Sequence, residues 1–298
     1  RMPPIDRWAI QNDLFSLCVS GDEQVRNYLD FSDAYFDEDS YLASVNVAHN
    51  LASLYFRAFD EPFIEEIRSY AVNYFRKILF NLGWEPKKSD KHTDALLRTF
   101  TIAVLGKMND DSVTDEAIKK YKKFLKSPGS LSPDLIETIC SIAAWNGNSK
   151  TFAELKKLYT NAKTMEEKLR FLGAMCGFQD KKLLVKTLDF SQTSEVRSQN
   201  MQLPIMKIAG NPYGDKVLWP WLKKNWKKIN KKVGHGNPLF NRIVASIAGV
   251  ADDSMEKEIK LFFKNNPTPG TERTQSQTLE RIRINSKFLR SMRKEFKN

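Results

Sequence analysis

The sequence predicts an all-α fold, a superhelical array of antiparallel helix pairs of the HEAT or armadillo kind, and three observations predict it. Apolar residues recur at helical spacing along nearly the whole chain, no stretch alternates strictly between apolar and polar residues, and helix start signals return at a regular interval. The first helix follows Asp6, carries Ile10, Leu14, Leu17 and Cys18 at i, i+4, i+7 and i+8, and closes at Gly21. His49 lies among apolar residues of a later helix and reads as a core or interface histidine. Trp84 to Asp94 is a polar, exposed connection holding Pro86, after which Leu97-Arg98 lies on a helix that is apolar on one side. Ala117, Ile118, Tyr121, Phe124 and Leu125 form the next stripe. Leu135, Ile139, Ile142 and Ala143 form another, behind Ser132-Pro133 with Pro at the first helical position. Gly147 and Gly210 break the pattern, and Thr164 with Glu167 makes a capping box.

Helix starts at Asp115, Ser132, Asn148, Thr164 and Gln179 give about 16 residues for a helix with its turn and about 33 for a pair, within the range of helical-hairpin arrays. Asn211-Pro212-Tyr213-Gly214 reads as a turn between helices. The helix after it places Leu222, Trp226, Ile229 and Val233 on one stripe, with Lys223, Lys227 and Lys231 in one basic row and Lys224, Lys228 and Lys232 in a second. Trp219 and Trp221 flank Pro220 at the entry of that helix, where indole rings pack as wedges; the other reading of the three tryptophans is a stacking platform for nucleic-acid bases. Gly234-His235-Gly236 lacks the strand that a phosphate-binding loop requires. Asn265 to Thr274, with Pro267, Pro269 and Gly270, is a second exposed connection, and the final helix runs from Thr278 to Phe296. The simplest organisation is a single helical-repeat domain over 1–298, with a shallow waist near 84–94 and a concave face available for binding.

Composition narrows the class. With 298 residues, 41% hydrophobic and 28% charged, the chain buries a sizeable core and falls outside the disordered class. No apolar run approaches the roughly 18 residues of a membrane span, and no charged and apolar leader precedes the first helix. Cys18, Cys140 and Cys176 are sparse and each sits in an apolar helical pattern, which points to buried thiols in a reducing, cytoplasmic compartment. The net charge of +11 is uneven: residues 201–298 hold 20 Lys or Arg against 8 Asp or Glu, and the remainder hold 27 against 28. Such asymmetry predicts an anionic partner for the C-terminal third, whether a carboxylate, an acidic protein face or a nucleic acid.

Asn211 to Trp226 reads N-P-Y-G-D-K-V-L-W-P-W-L-K-K-N-W. Its Asn211, Gly214, Trp219, Leu222, Asn225 and Trp226 match N-x-x-G-x-x-x-x-W-x-x-L-x-x-N-W, so the segment resembles the C-terminal helical domain of M1-family zinc aminopeptidases. The resemblance continues in order through Arg7 to Gly21 with Asp13 and Phe15, Tyr28-Leu29-Asp30, Leu97-Arg98, Val196-Arg197-Ser198-Gln199, Phe262-Phe263 and the final helix. It is similar to the tricorn-protease interacting factors and the puromycin-sensitive and antigen-trimming enzymes. What the resemblance implies is a bowl-shaped helical domain of a larger enzyme, and Arg1 in place of an initiator Met agrees with a fragment or processed product.

In such a parent, zinc in the catalytic domain serves the hydrolysis of N-terminal peptide bonds. This chain holds neither H-E-x-x-H, since none of His49, His92 and His235 is followed by Glu, nor G-x-M-E-N, so no catalytic group, metal ligand or cofactor is expected within it. Its expected partners are the catalytic and linking domains, peptide substrates and a larger protease assembly. Arg98 and Arg197 occupy motif positions that, by the resemblance, line or back the internal cavity, where a guanidinium holds a carboxylate or caps a neighbouring helix. Lys223, Lys227 and Lys231 are candidates to attract a peptide's C-terminal carboxylate; a basic row that is only a solvated face is the other reading. Two positions depart from the family pattern: Gly177, where peptide-trimming relatives carry a basic residue, and Ser44, where a Trp is common. The different-class alternative is a free-standing helical scaffold that binds nucleic acid or an acidic protein through its basic third.

Overall fold

A computed structural model describes residues 2–234 and 237–297; His235, in the Gly234-His235-Gly236 segment, lies outside the described residues, as does Gly236. The chain is 79% helix, with no strand among the described residues, which makes it all-α. Fifteen α-helices are present among the described residues, and they pack into two compact units whose boundaries fall inside helices, after Ile139 and after Arg283.

The first unit contains α1 (Pro4–Ser20), α2 (Val25–Ser32), α3 (Tyr41–Arg57), α4 (Ile64–Leu82), α5 (His92–Lys107), α6 (Asp111–Lys126) and the start of α7 (Pro133–Trp145). Helix α1 packs on α2 and α3, α3 on α4 and α5, and α5 on α6, so sequence neighbours pair while alternate helices lie side by side. Fully buried Leu51, Leu54, Ile67 and Phe75 form the centre of this packing. Gly21 ends α1 in the left-handed conformation, φ +86°, that glycine adopts without strain. The residues from Ile284 onward close this unit on itself. The Glu295 carboxylate accepts from the free N–H groups of Val25 (2.9 Å) and Arg26 (2.7 Å) at the start of α2, Arg293 forks onto Glu61, and Phe296 stacks on Phe63 with ring centres 4.6 Å apart.

The second unit holds the end of α7, α8 (Ser149–Asn161), α9 (Met165–Ala174), α10 (Lys181–Ser191), α11 (Gln202–Ala209), α12 (Asp215–Val233), α13 (Pro238–Ser246), α14 (Glu256–Asn265) and most of α15 (Glu272–Glu295). Here α9, α11 and α13 touch in series, and α10 touches both α11 and α12. Cys140–Arg283 carries 25 Lys or Arg against 13 Asp or Glu, whereas the first unit carries 22 against 23, so the whole basic excess belongs to the second unit.

Several local expectations meet their physical answers here. Thr164 and Glu167 cap α9 reciprocally, and Asn148 caps α8. The start expected at Asp115 falls inside α6, because Asp110 is the residue whose carboxylate accepts from the Val113 N–H at 3.0 Å. Pro220 stands inside α12 rather than at its entry, since Asp215 already begins the helix; one intrahelical hydrogen bond is lost to the proline. The connection at 84–94 lies within the first unit, tied down through Asp90 to Arg98. The second connection is only partly exposed: Thr268 and Thr271 are buried, their hydroxyls hydrogen bonded at 2.8 Å with Gln275 Nε2 donating to both.

Candidate functional site

The turn that launches α12 is held by three polar contacts and one close approach. Asn211 Nδ2 donates to the carbonyls of Cys176 (2.9 Å) and Phe178 (3.0 Å), while its Oδ1 accepts from the Tyr213 N–H at 2.9 Å. A Cβ on Gly214 would lie 2.0 Å from the Ile208 carbonyl oxygen, so only glycine lets α11 and α12 meet there. Gly177 is constrained in the same way: a Cβ there would lie 2.9 Å from the Ser141 carbonyl oxygen. Glycine at this position therefore lets α7 and the turn after α9 come into contact.

On α12 the apolar stripe faces inward as the spacing predicts, with Leu222, Trp226 and Ile229 buried and Val233 half-buried. Trp226 sits edge-on to Phe240 (5.0 Å) and Phe262 (5.2 Å), and Trp219 edge-on to Phe262 (5.0 Å). Trp219 and Trp221 are buried too, their indole N–H groups donating to Glu258 Oε1 at 3.0 Å and Asp189 Oδ1 at 2.8 Å. Rings buried in this way offer no face on which a base could stack. Asn225 Nδ2 donates to the Trp221 carbonyl, one turn back, at 2.9 Å.

The lysine rows are not uniform. Lys223 is bonded to Glu258 on α14 and lies 5.6 Å from the Trp219 ring centre; with Lys223 beside it, Glu258 is held below the usual carboxylate range. Lys232 reaches the end of α10, its Nζ donating to the carbonyls of Gln192 and Thr193, each at 3.2 Å. Burial lowers its pKa, and Lys228 nearby lowers it further. Lys224, Lys227, Lys228 and Lys231 are exposed and form no ion pair among the described residues. At 100° per residue these four occupy about a third of the helix circumference over two turns, which makes a concentrated positive surface.

The two arginines lie elsewhere. Arg98 is 1% exposed, and its guanidinium donates to the carbonyls of Gly83 (2.9 Å) and Leu82 (3.2 Å) and to Asp90, closing the C-terminus of α4. Arg197 is exposed, next to Tyr159, whose hydroxyl donates to the Glu195 carbonyl at 3.0 Å. Arg197 and α12 belong to the second unit, Arg98 to the first. Sequence reasoning missed Glu258, although it stands four residues before Phe262 and so shares a helix face with the ring that packs on both tryptophans. No group of three His, Cys, Asp or Glu side chains among the described residues is placed to hold a metal ion, and no helix among them is long and apolar enough to cross a membrane.

Residues 1–284 match the family described as the ERAP1-like C-terminal domain. Among named relatives, Aminopeptidase M1-A of Oryza sativa subsp. japonica is 26% identical over 302 residues, an alignment covering 99% of this chain and 34% of that protein. Aminopeptidase M1-D of the same plant is 28% identical over 298 residues, covering 98% and 34%, and the mitochondrial Aminopeptidase 2 of Saccharomyces cerevisiae is 25% identical over 284 residues, covering 93% and 30%. The chain thus spans about a third of the length of the curated relatives it matches.

Proposed function

This chain belongs to the ERAP1-like C-terminal domain family, and we propose that it is the C-terminal domain of a zinc-dependent aminopeptidase, where it encloses the active-site cavity and positions peptide substrates. The observation that carries the reading is the match of nearly the whole chain to about a third of each aminopeptidase relative. The zinc and the residues that hold it belong to the parent's catalytic domain, which with its linking domain is the principal partner. Three buried cysteine thiols agree with a cytoplasmic setting.

Within this reading, Lys227 and Lys231 attract the C-terminal carboxylate of a bound peptide through the positive field of α12, and Arg197 adds to that field. Lys223 serves the same row more weakly, because Glu258 already compensates it. Reversing Lys227 and Lys231 to Glu in the parent is expected to raise KM for peptides with free C-termini roughly three- to tenfold relative to amidated ones, the scale of one or two exposed charge interactions. Equal effects on the two peptide classes return these lysines to a solvated face. The alternative, a free-standing scaffold binding a nucleic acid, draws on the same four uncompensated lysines; it requires binding that weakens steeply with added salt and persists without any aminopeptidase domain.

A further inference from the structure

The larger apolar side chains of α1 fall mainly into two groups, Ile10, Leu14 and Leu17 within about 60° of one another and Trp8, Phe15 and Val19 within about 40°, with Asp6, Asp13, Ser16 and Ser20 on the arc between them, so the helix presents two apolar faces. Yet only Gln11 and Cys18 are buried among its seventeen residues. The face carrying Gln11, Phe15 and Cys18 is used: Gln11 Oε1 accepts from Tyr28 and Asn50, and Phe15 lies against Tyr28 and Phe288. Ile10 and Leu17 lie two turns apart along one line, about a quarter turn from that face, and remain 43% and 46% exposed. Leu42, also exposed, begins α3, the helix on which α1 packs, and the pairing of Arg7 with Glu38 sets the start of α3 beside the first half of α1.

We infer that this exposed apolar line of α1, centred on Ile10 and Leu17, is the seat of the polypeptide that precedes the domain in its parent enzyme. The inference rests on the reading of the chain as a C-terminal domain. Two observations select this occupant. About two-thirds of each relative lies outside the matched region, so a large preceding body needs a contact surface. A segment joined directly to α1 meets that helix at a high effective concentration, which makes the nearest uncovered apolar face its natural seat. Asp6 and Asp13 provide the polar rim that such contacts carry round an apolar centre.

The test uses the whole parent protein with p-benzoylphenylalanine placed singly at Ile10, Leu17 or, as a control, Phe80, an 86% exposed ring on α4. Irradiation is expected to join positions 10 and 17 to residues ahead of Arg1 within the same molecule, and position 80 to none of them. As a second measurement, I10D/L17D is expected to lower the parent's melting temperature while leaving that of the 298-residue chain unchanged, because in the chain alone both side chains already meet water. Adducts to a second copy, or no adducts at positions 10 and 17, overturn the inference, and so does an equal loss of melting temperature in parent and chain. A parent that lacks aminopeptidase activity overturns the reading under Proposed function instead, so the two failures are told apart.

Discussion

Gly214 and Trp226 are the residues at which the structure is least forgiving, for opposite reasons. At Gly214 there is no room: adding a methyl group places carbon 2.0 Å from a backbone oxygen, and backbone cannot swing aside as a side-chain end can. Gly214→Ala is expected to cost about 1–3 kcal/mol or more, the range for overpacked sites, measured as a lower denaturation midpoint at unchanged m-value. At Trp226 there is too much to remove. Truncation to Ala empties a site bounded by Phe240, Phe262 and Phe263 and is expected to cost roughly 3–5 kcal/mol. Trp226→Phe is milder, since the indole N–H has no partner among the described residues and its loss leaves nothing unsatisfied. Both positions were legible in the sequence as motif residues. Their reasons were not, because a forbidden Cβ depends on where α11 runs.

Among the elements, α12 shows how identical side chains take different tasks. Lys228 and Lys232 stand one turn apart in the same row, yet Lys232 completes the orphan carbonyls at the end of α10 while Lys228 is solvated. Lys232→Met keeps the aliphatic stem and removes the cap, so it is expected to destabilise by about 0.3–1 kcal/mol in chemical denaturation, the usual worth of a cation at a helix C-terminus. Lys228→Met is expected to be neutral or slightly stabilising, because Lys228 repels the half-buried Lys232. The two basic rows were visible from the four-residue spacing. Which lysines were already engaged was not, since Glu258 and the end of α10 are brought to α12 only by packing.

At the scale of the whole molecule, acid stability follows from a few groups with displaced titration. His49 is an exposed residue of α3 rather than the core histidine its apolar neighbours suggest; its ring centre lies 4.2 Å from that of Phe100, and the partial loss of hydration there lowers its pKa from the ordinary 6.5. The folded state therefore binds this proton less readily than the unfolded state, and stability falls as pH drops below about 6.5. Glu38, hydrogen bonded to Arg7, and Glu256, hydrogen bonded to Arg283 and Lys260, are held down to about 2, so their contribution is present above about 4.5 and is lost between there and 2. Thermal melts across pH are expected to show a shallow loss below about 6.5 and a steeper one below about 4.5, and His49→Gln is expected to flatten the first without moving the second. By itself the sequence determined the all-α class, the starts of α7, α8 and α9 at Ser132, Asn148 and Thr164, the buried stripe of α12 and the family, because these depend on local spacing, capping chemistry and motif identity. Only the tertiary structure decided which charges are spent and which remain. Ion pairing and helix-end capping join residues tens of positions apart, as in Lys223 with Glu258 and Lys232 with Thr193, and no spacing rule along the chain records such distances.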